Sequence, residues 1–155
     1  MKKYVLISLL ALVAMCFTAC EDRGPRVQRE SVYMTVEQNE WKWDNEAEQF
    51  YAHFNVPEIT ANVYNYGNYC LYREYNTGTK DAYQVGLPQS LYLWENVQDS
   101  TGADVTIYYQ QLVDYRVGVG YVEIQVTNND FFYAEDEQGY LINPEKMVFH
   151  LQLMY

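Results

Sequence analysis

The chain has 155 residues and a formal net charge of −11, because 21 acidic side chains outnumber ten basic ones. This charge repels phosphate backbones and anionic headgroups, and the sequence contains no basic patch that would oppose the repulsion, so nucleic acid is excluded as an expected partner. The length suits one compact domain that buries roughly two thirds of the surface of its unfolded chain.

The first residues combine a basic start (Lys2, Lys3) with an uncharged apolar stretch at 5–17, followed by small residues. These are the parts of a secretory signal. The stretch is shorter than the roughly 20 residues of a membrane-spanning helix, although an uncleaved anchor helix is the alternative. Segment 17–20 resembles the lipid-attachment box of bacterial lipoproteins. The resemblance implies cleavage just before Cys20 and acylation of that residue, which would anchor the protein stably through several acyl chains.

We therefore expect a lipoprotein signal peptide at 1–19, the lipidated Cys20 with a flexible tether at 20–30, and a single domain at 31–155. Removal of two lysines with the signal would take the net charge to −13. Cys70 would then be the one free thiol, which excludes an internal disulfide. Because it lies in an apolar run, we expect Cys70 to be a small buried hydrophobe.

The domain alternates apolar and polar residues with a period of two, which is typical of half-buried strands. The pattern predicts strands at 32–36, 50–56, 69–75, 81–87, 91–97, 105–114, 122–127 and 147–155. The one helical candidate is 58–66, with Thr60 as a possible N-cap, and loops are expected at 76–80 and 99–104. Gly118 and Gly120 indicate a bend or bulge. We predict an all-β antiparallel β-sandwich of seven to nine strands, Ig-like or jelly-roll-like.

Several short segments resemble a group of small uncharacterised Bacteroidetes lipoproteins that carry a single β-domain. The segments are 56–60 with Val63 and Gly67, an aromatic strand after them, 87–88, and the closing strand 147–153. Such proteins often place a collagen-like Gly-Pro-x segment after the lipid-bearing cysteine, and Gly24-Pro25 would be its vestige. The resemblance implies this fold and an outer-membrane location, periplasmic or surface-exposed, and it offers no activity that could be carried over to this chain. In similar lipoproteins, acidic residues after the cysteine, here Glu21 and Asp22, accompany export to the outer surface.

Residues for catalysis or metal binding are sparse. His53 and His150 stand alone, and we expect both at the surface or rim, pointing away from the apolar faces of their strands. The sequence predicts no metal site and no cofactor. Segments 128–130 and 135–137 could gather oxygen ligands for calcium, but they lack the order of a calcium loop, so a solvated acidic loop is expected. Carboxylates are plentiful, and the sequence cannot give the separation that a hydrolase needs.

The 17 tyrosines, six phenylalanines and three tryptophans offer most room for function. Trp41 and Trp43 are two apart, so on a strand both rings share one face; they could stack on sugar or peptide, or cover the core. A second candidate surface combines Tyr64, Tyr66, Tyr69, Tyr72 and Trp94.

Three functions remain open at this point. The leading one is a non-catalytic, lipid-anchored cell-envelope module for binding, adhesion or scaffolding, with the membrane and an unknown protein or glycan as partners. The alternative is a glycan-binding accessory lipoprotein, which a row of exposed Trp and Tyr on one sheet face would favour. The remote alternative is a carboxylate-dependent hydrolase, which requires a deep pocket holding a carboxylate pair.

Overall fold

Two antiparallel sheets face each other across a shared core in the computed structural model, which describes residues 27–98, 101–129 and 141–155. This arrangement confirms the predicted all-β sandwich. The strands are β1 (Arg29–Val36), β2 (Lys42–Asp44), β3 (Gln49–Asn55), β4 (Asn68–Tyr75), β5 (Tyr83–Gly86), β6 (Gln89–Gln98), β7 (Asp104–Gly118), β8 (Tyr121–Asn128) and β9 (Met147–Met154). The first sheet has the order β1-β9-β4-β5, and the second has the order β2-β3-β8-β7-β6.

The period-two pattern determines which face of each strand is buried. In β9, Phe149, Leu151 and Leu153 are fully buried, and in β8 the same holds for Val122 and Ile124. We call the side facing the opposite sheet the inner face and the side facing solvent the outer face. Because β9 lies between β1 and β4, its inner side chains pack at the centre of the first sheet.

The connections follow the sequence signals in most places. Helix α1 (Ala61–Tyr66) is shorter than the predicted 58–66, and Thr60 caps it, since the Val63 amide donates to the Thr60 hydroxyl oxygen over 3.3 Å. Gly118 and Gly120 flank the tight β7–β8 turn, in which Gly120 has a φ of 82° that side-chain-bearing residues rarely adopt. The predicted loop at 99–104 lies partly outside the described residues.

Two short elements were not predicted. A single 3-10 turn, Gln38–Glu40, precedes β2, and its Glu40 carboxylate accepts from the Glu37 amide over 2.8 Å. The prediction that Trp41 and Trp43 share one strand is wrong, because Trp41 closes this turn and only Trp43 lies in β2. A strand of three residues is too short for alternation to reveal it.

Candidate functional site

The first predicted aromatic pair belongs to the core. Trp41 is 4% exposed, and its indole N–H donates to the Glu145 carbonyl oxygen over 3.2 Å. Trp43 is half-buried and lies edge-on to Phe50, with 4.9 Å between ring centroids. Of the two alternatives left open for this pair, the structure supports covering of the core.

The second predicted surface is dispersed. Tyr64 and Tyr66 are exposed on α1, whereas Tyr69 packs against the core. Tyr72 lies on the outer face of the first sheet, opposite His150, and Trp94 belongs to β6 of the other sheet. The expectation of one surface was wrong because closeness along the chain does not bring together residues from different strands and faces.

The histidines and Cys70 depart partly from expectation. His53 is exposed and stacks on Tyr121. His150 is on the outer face, as predicted, yet only 6% exposed, because Tyr33 stacks on it with 4.3 Å between centroids. Cys70 is half-buried on the outer face opposite Gln152, so the expectation of a small buried hydrophobe was wrong.

Three exposed rings converge on the outer face of the β6–β7 ribbon. Tyr92, Trp94 and Tyr108 are 86%, 64% and 77% exposed. Trp94 lies directly opposite Tyr108 in the strand register, and Tyr92 is two residues away on β6. Residues directly opposite have Cβ atoms about 5 Å apart, and alternate residues of one strand are about 7 Å apart. We call these three residues the aromatic triad.

Neutral polar groups surround the triad. The Thr106 hydroxyl donates to the Asn96 side-chain oxygen over 2.8 Å, and the Gln110 amide donates to the Ser90 hydroxyl oxygen at the other end. The outward positions across this stretch are Ser90, Tyr92, Trp94, Asn96, Thr106, Tyr108, Gln110 and Leu112, and none is charged. In a chain with 20% charged residues, the result is an uncharged face with rings at its centre and amides and hydroxyls at its ends.

A cavity of about 440 Å³ opens between the sheets behind this ribbon. Its polar lining includes Arg73, Glu95, Tyr109, Gln111, Asn128 and Glu145. Apolar side chains, among them Leu91, Leu93 and Ile142, supply other walls, and Trp94 also lines the cavity. Because β6 is the last strand of its sheet, Trp94 can belong both to the outer face and to the rim of this cavity.

Arg73 is held at the cavity by a stack of rings. In the register of β4 it lies opposite Phe149, a core residue, so its side chain points between the sheets. Its guanidinium carbon is 4.6 Å from the centroid of Tyr75, which in turn stacks on Tyr83 at 4.9 Å. The Tyr75 hydroxyl donates to the Gln89 side-chain oxygen over 2.7 Å and so ties β4 to β6.

The charges in the cavity are only partly compensated. Burial lowers the pKa of Arg73, while Tyr75 and Glu145 oppose this effect. Burial is also the main cause that raises the pKa of Tyr109, with smaller contributions from Glu95 and Glu145, so its hydroxyl stays protonated at neutral pH. The Nη1 atom of Arg73 is buried and has no hydrogen-bond partner among the described residues.

Sequence reasoning missed most of this region, although signals were present. Tyr92 and Trp94 occupy the polar positions of the β6 alternation, where Leu91 and Leu93 occupy the apolar ones. Aromatic residues on the solvent-exposed face of a strand indicate an interaction surface. Arg73 likewise occupies an inward position of β4, where a charge is unusual.

Within residues 27–98, 101–129 and 141–155, no group of His, Cys, Asp and Glu side chains is arranged to hold a metal ion. The same residues contain no helix of sufficient length and apolarity to cross a membrane. Cys20, residues 20–26 of the predicted tether and most of the two acidic segments considered for calcium lie outside the described residues. The last two tether residues, Arg29 and Glu30, belong to β1, so the tether was predicted too long. Comparison of the chain with protein-family models, curated proteins and solved structures finds no match.

Proposed function

We propose that this protein is a non-catalytic glycan-binding module, held at the outer membrane by a lipid on Cys20, that binds saccharides with its aromatic triad. The observation that carries the proposal is the exposure of three rings, Tyr92, Trp94 and Tyr108, on one face of the β6–β7 ribbon. Large rings exposed together are uncommon on a monomer and mark interaction surfaces.

The chemistry around the rings supports a saccharide over an ionic partner. A sugar ring presents C–H groups that pack on an aromatic face and hydroxyls that exchange hydrogen bonds with amides and hydroxyls. The triad supplies the first, and Ser90, Asn96, Thr106 and Gln110 supply the second. The absence of charge from these outward positions gives a strongly ionic partner no counterpart there.

The anchor is supported by the sequence of the leader. Cys20 follows a basic start and a short apolar stretch, and the polar residues between Cys20 and β1 would hold the domain away from the bilayer. The similarity to small Bacteroidetes lipoproteins supports the same location. A lipid-anchored domain with an uncharged aromatic face fits glycan capture at a cell surface.

A glycan array probed with the full chain, purified in mild detergent, tests the proposal. We expect binding to at least one class of saccharide and loss of the signal in the double variant Tyr92→Ala/Tyr108→Ala. Tyr66→Ala is the matched control, because Tyr66 is 82% exposed but lies on α1. Binding of a protein partner alone, or equal binding by the double variant, would refute the proposal.

A carboxylate-dependent hydrolase is the second candidate, because Glu95 and Glu145 line the same cavity. Incubation of the array ligands with the protein tests it by analysis of the products. Cleavage that disappears in both Glu95→Gln and Glu145→Gln would favour the hydrolase, and intact ligands would favour the binding module.

A further inference from the structure

We propose that the inter-sheet cavity is a subsite for an acidic sugar, in which Arg73 receives the carboxylate of a uronic acid residue. This inference rests on the proposed glycan-binding function and names the class of saccharide. The cavity volume of about 440 Å³ falls within the roughly 300–1,000 Å³ of small-molecule sites.

The first argument is the state of Arg73. Arg73 is half-buried, and withdrawing part of a cation from water is costly unless the withdrawn atoms are paired and hydrogen-bonded. Among the described residues, the ion pair that is seen joins Lys146 to Glu37 and does not include Arg73, although the charge of Glu145 acts on Arg73. Arg73 instead rests on the Tyr75 ring, with Nη1 buried and without a partner. An anion supplied by a ligand would complete the site, and guanidinium binds carboxylates through paired parallel hydrogen bonds.

The second argument is the identity of the other polar groups. Glu95 and Glu145 are acceptors when ionised, and Tyr109 keeps its proton and can donate. Sugar hydroxyls are both donors and acceptors, so they match this mixed set. The two carboxylates also select against multiply charged anions, because a phosphate carries more charge into their field than the single carboxylate of a uronic acid.

The third argument is continuity with the aromatic triad. Trp94 lines the cavity and also lies opposite Tyr108 on the outer face. A saccharide stacked on the triad therefore reaches the rim of the cavity at Trp94. Glu95 is the next residue of β6 and points to the inner face. A sugar unit that enters the cavity at Trp94 would therefore contact Glu95.

The test compares trisaccharides of galacturonic, glucuronic and mannuronic acid with their methyl esters, which keep the sugar and remove the charge. Calorimetric titration of the full chain in detergent gives both affinities. We expect at least one acid to bind about 10- to 100-fold more tightly than its ester. Arg73→Met should abolish this preference, and Arg73→Lys, which keeps the charge without the planar fork, should retain part of it.

Two measurements separate the binding role of Arg73 from a structural one. Arg73 is half-buried and its Nη1 atom has no hydrogen-bond partner, so Arg73→Met should leave the melting temperature close to that of the unmodified protein. Glu95→Gln should weaken binding of the ester, because it removes an acceptor for the sugar hydroxyls, and should weaken binding of the acid less, because it also removes a repelling charge. A lowered melting temperature in Arg73→Met with an unchanged acid-to-ester preference would overturn the inference.

The outcomes also distinguish this inference from the proposed function. If neutral glycans bind through the triad and no acid is preferred over its ester, the subsite fails and the glycan-binding module stands. If acids bind with a preference that needs Arg73 but not Tyr92 or Tyr108, the triad fails and the cavity stands. Stronger competition by inorganic phosphate than by free galacturonate would overturn the choice of a carboxylate.

Discussion

Alanine substitution of two tryptophans, Trp41 and Trp94, is expected to have opposite effects. Trp41 is 4% exposed, and its indole donates a hydrogen bond to the Glu145 carbonyl oxygen. Trp41→Ala removes a large buried ring and leaves that carbonyl without its donor. Large-to-small substitutions of this kind cost about 3–5 kcal/mol. For a domain of this size, such a loss lowers the melting temperature by about 10–20 °C.

Trp94 gives the contrasting result. It is 64% exposed, so Trp94→Ala should change the free energy of unfolding by no more than about 0.5 kcal/mol. Because Trp94 is a central ring of the binding face, its removal should weaken the binding free energy by about 1–2 kcal/mol, which raises Kd about 5- to 30-fold. Thermal unfolding followed by circular dichroism and titration with an array-identified glycan measure the two effects.

The opposite pattern of effects in the two variants would refute the roles given to Trp41 and Trp94. A stable Trp41→Ala protein that loses glycan binding would show that the saccharide site lies at Trp41 and Trp43, the first pair suggested by the sequence. A Trp94→Ala protein that melts many degrees lower would show that its ring is part of the core.

Three further predictions concern the anchor, the closing strand and pH. Cys20→Ala should move the protein from the membrane to the soluble fraction, and retention in membranes would exclude lipid anchoring. Deletion of residues 151–155 should abolish cooperative unfolding, because it removes buried core side chains from the centre of the first sheet; an unchanged melting curve would contradict the assignment of β9. Burial is the main cause of the raised pKa of Tyr115, so folding favours the neutral form of this side chain. The free energy of unfolding should therefore fall as pH rises above about 10, the ordinary pKa of tyrosine, and through the raised pKa of the folded state. In Tyr115→Phe the fall in melting temperature at alkaline pH should be smaller, and an identical pH profile would argue against this contribution.

The strands could be predicted because alternation records which face is buried. Residues such as Phe149 and Leu151 occupy every second position of β9, and the same device marks β8. The bend after β7 could also be predicted, because Gly118 and Gly120 lie close together in the sequence. Each of these signals lies within a few residues of chain.

The site could not be predicted to the same degree because it depends on pairing between strands. Trp94 and Tyr108 meet through the β6–β7 register, and Arg73 reaches the cavity from the other sheet. His150 shows the same limit, since its outward direction followed from alternation while its burial depends on Tyr33 from β1 and Tyr72 from β4.

Tryptophan fluorescence during a glycan titration tests the central claim most directly. The sequence has three tryptophans; Trp41 is buried and Trp43 half-buried, which leaves Trp94 as the one largely exposed to solvent. We predict that a bound saccharide covers Trp94 and shifts the emission to shorter wavelength, and that Trp94→Phe abolishes the shift. A shift that persists in Trp94→Phe, or binding with no change in emission, would contradict a saccharide site on the aromatic triad.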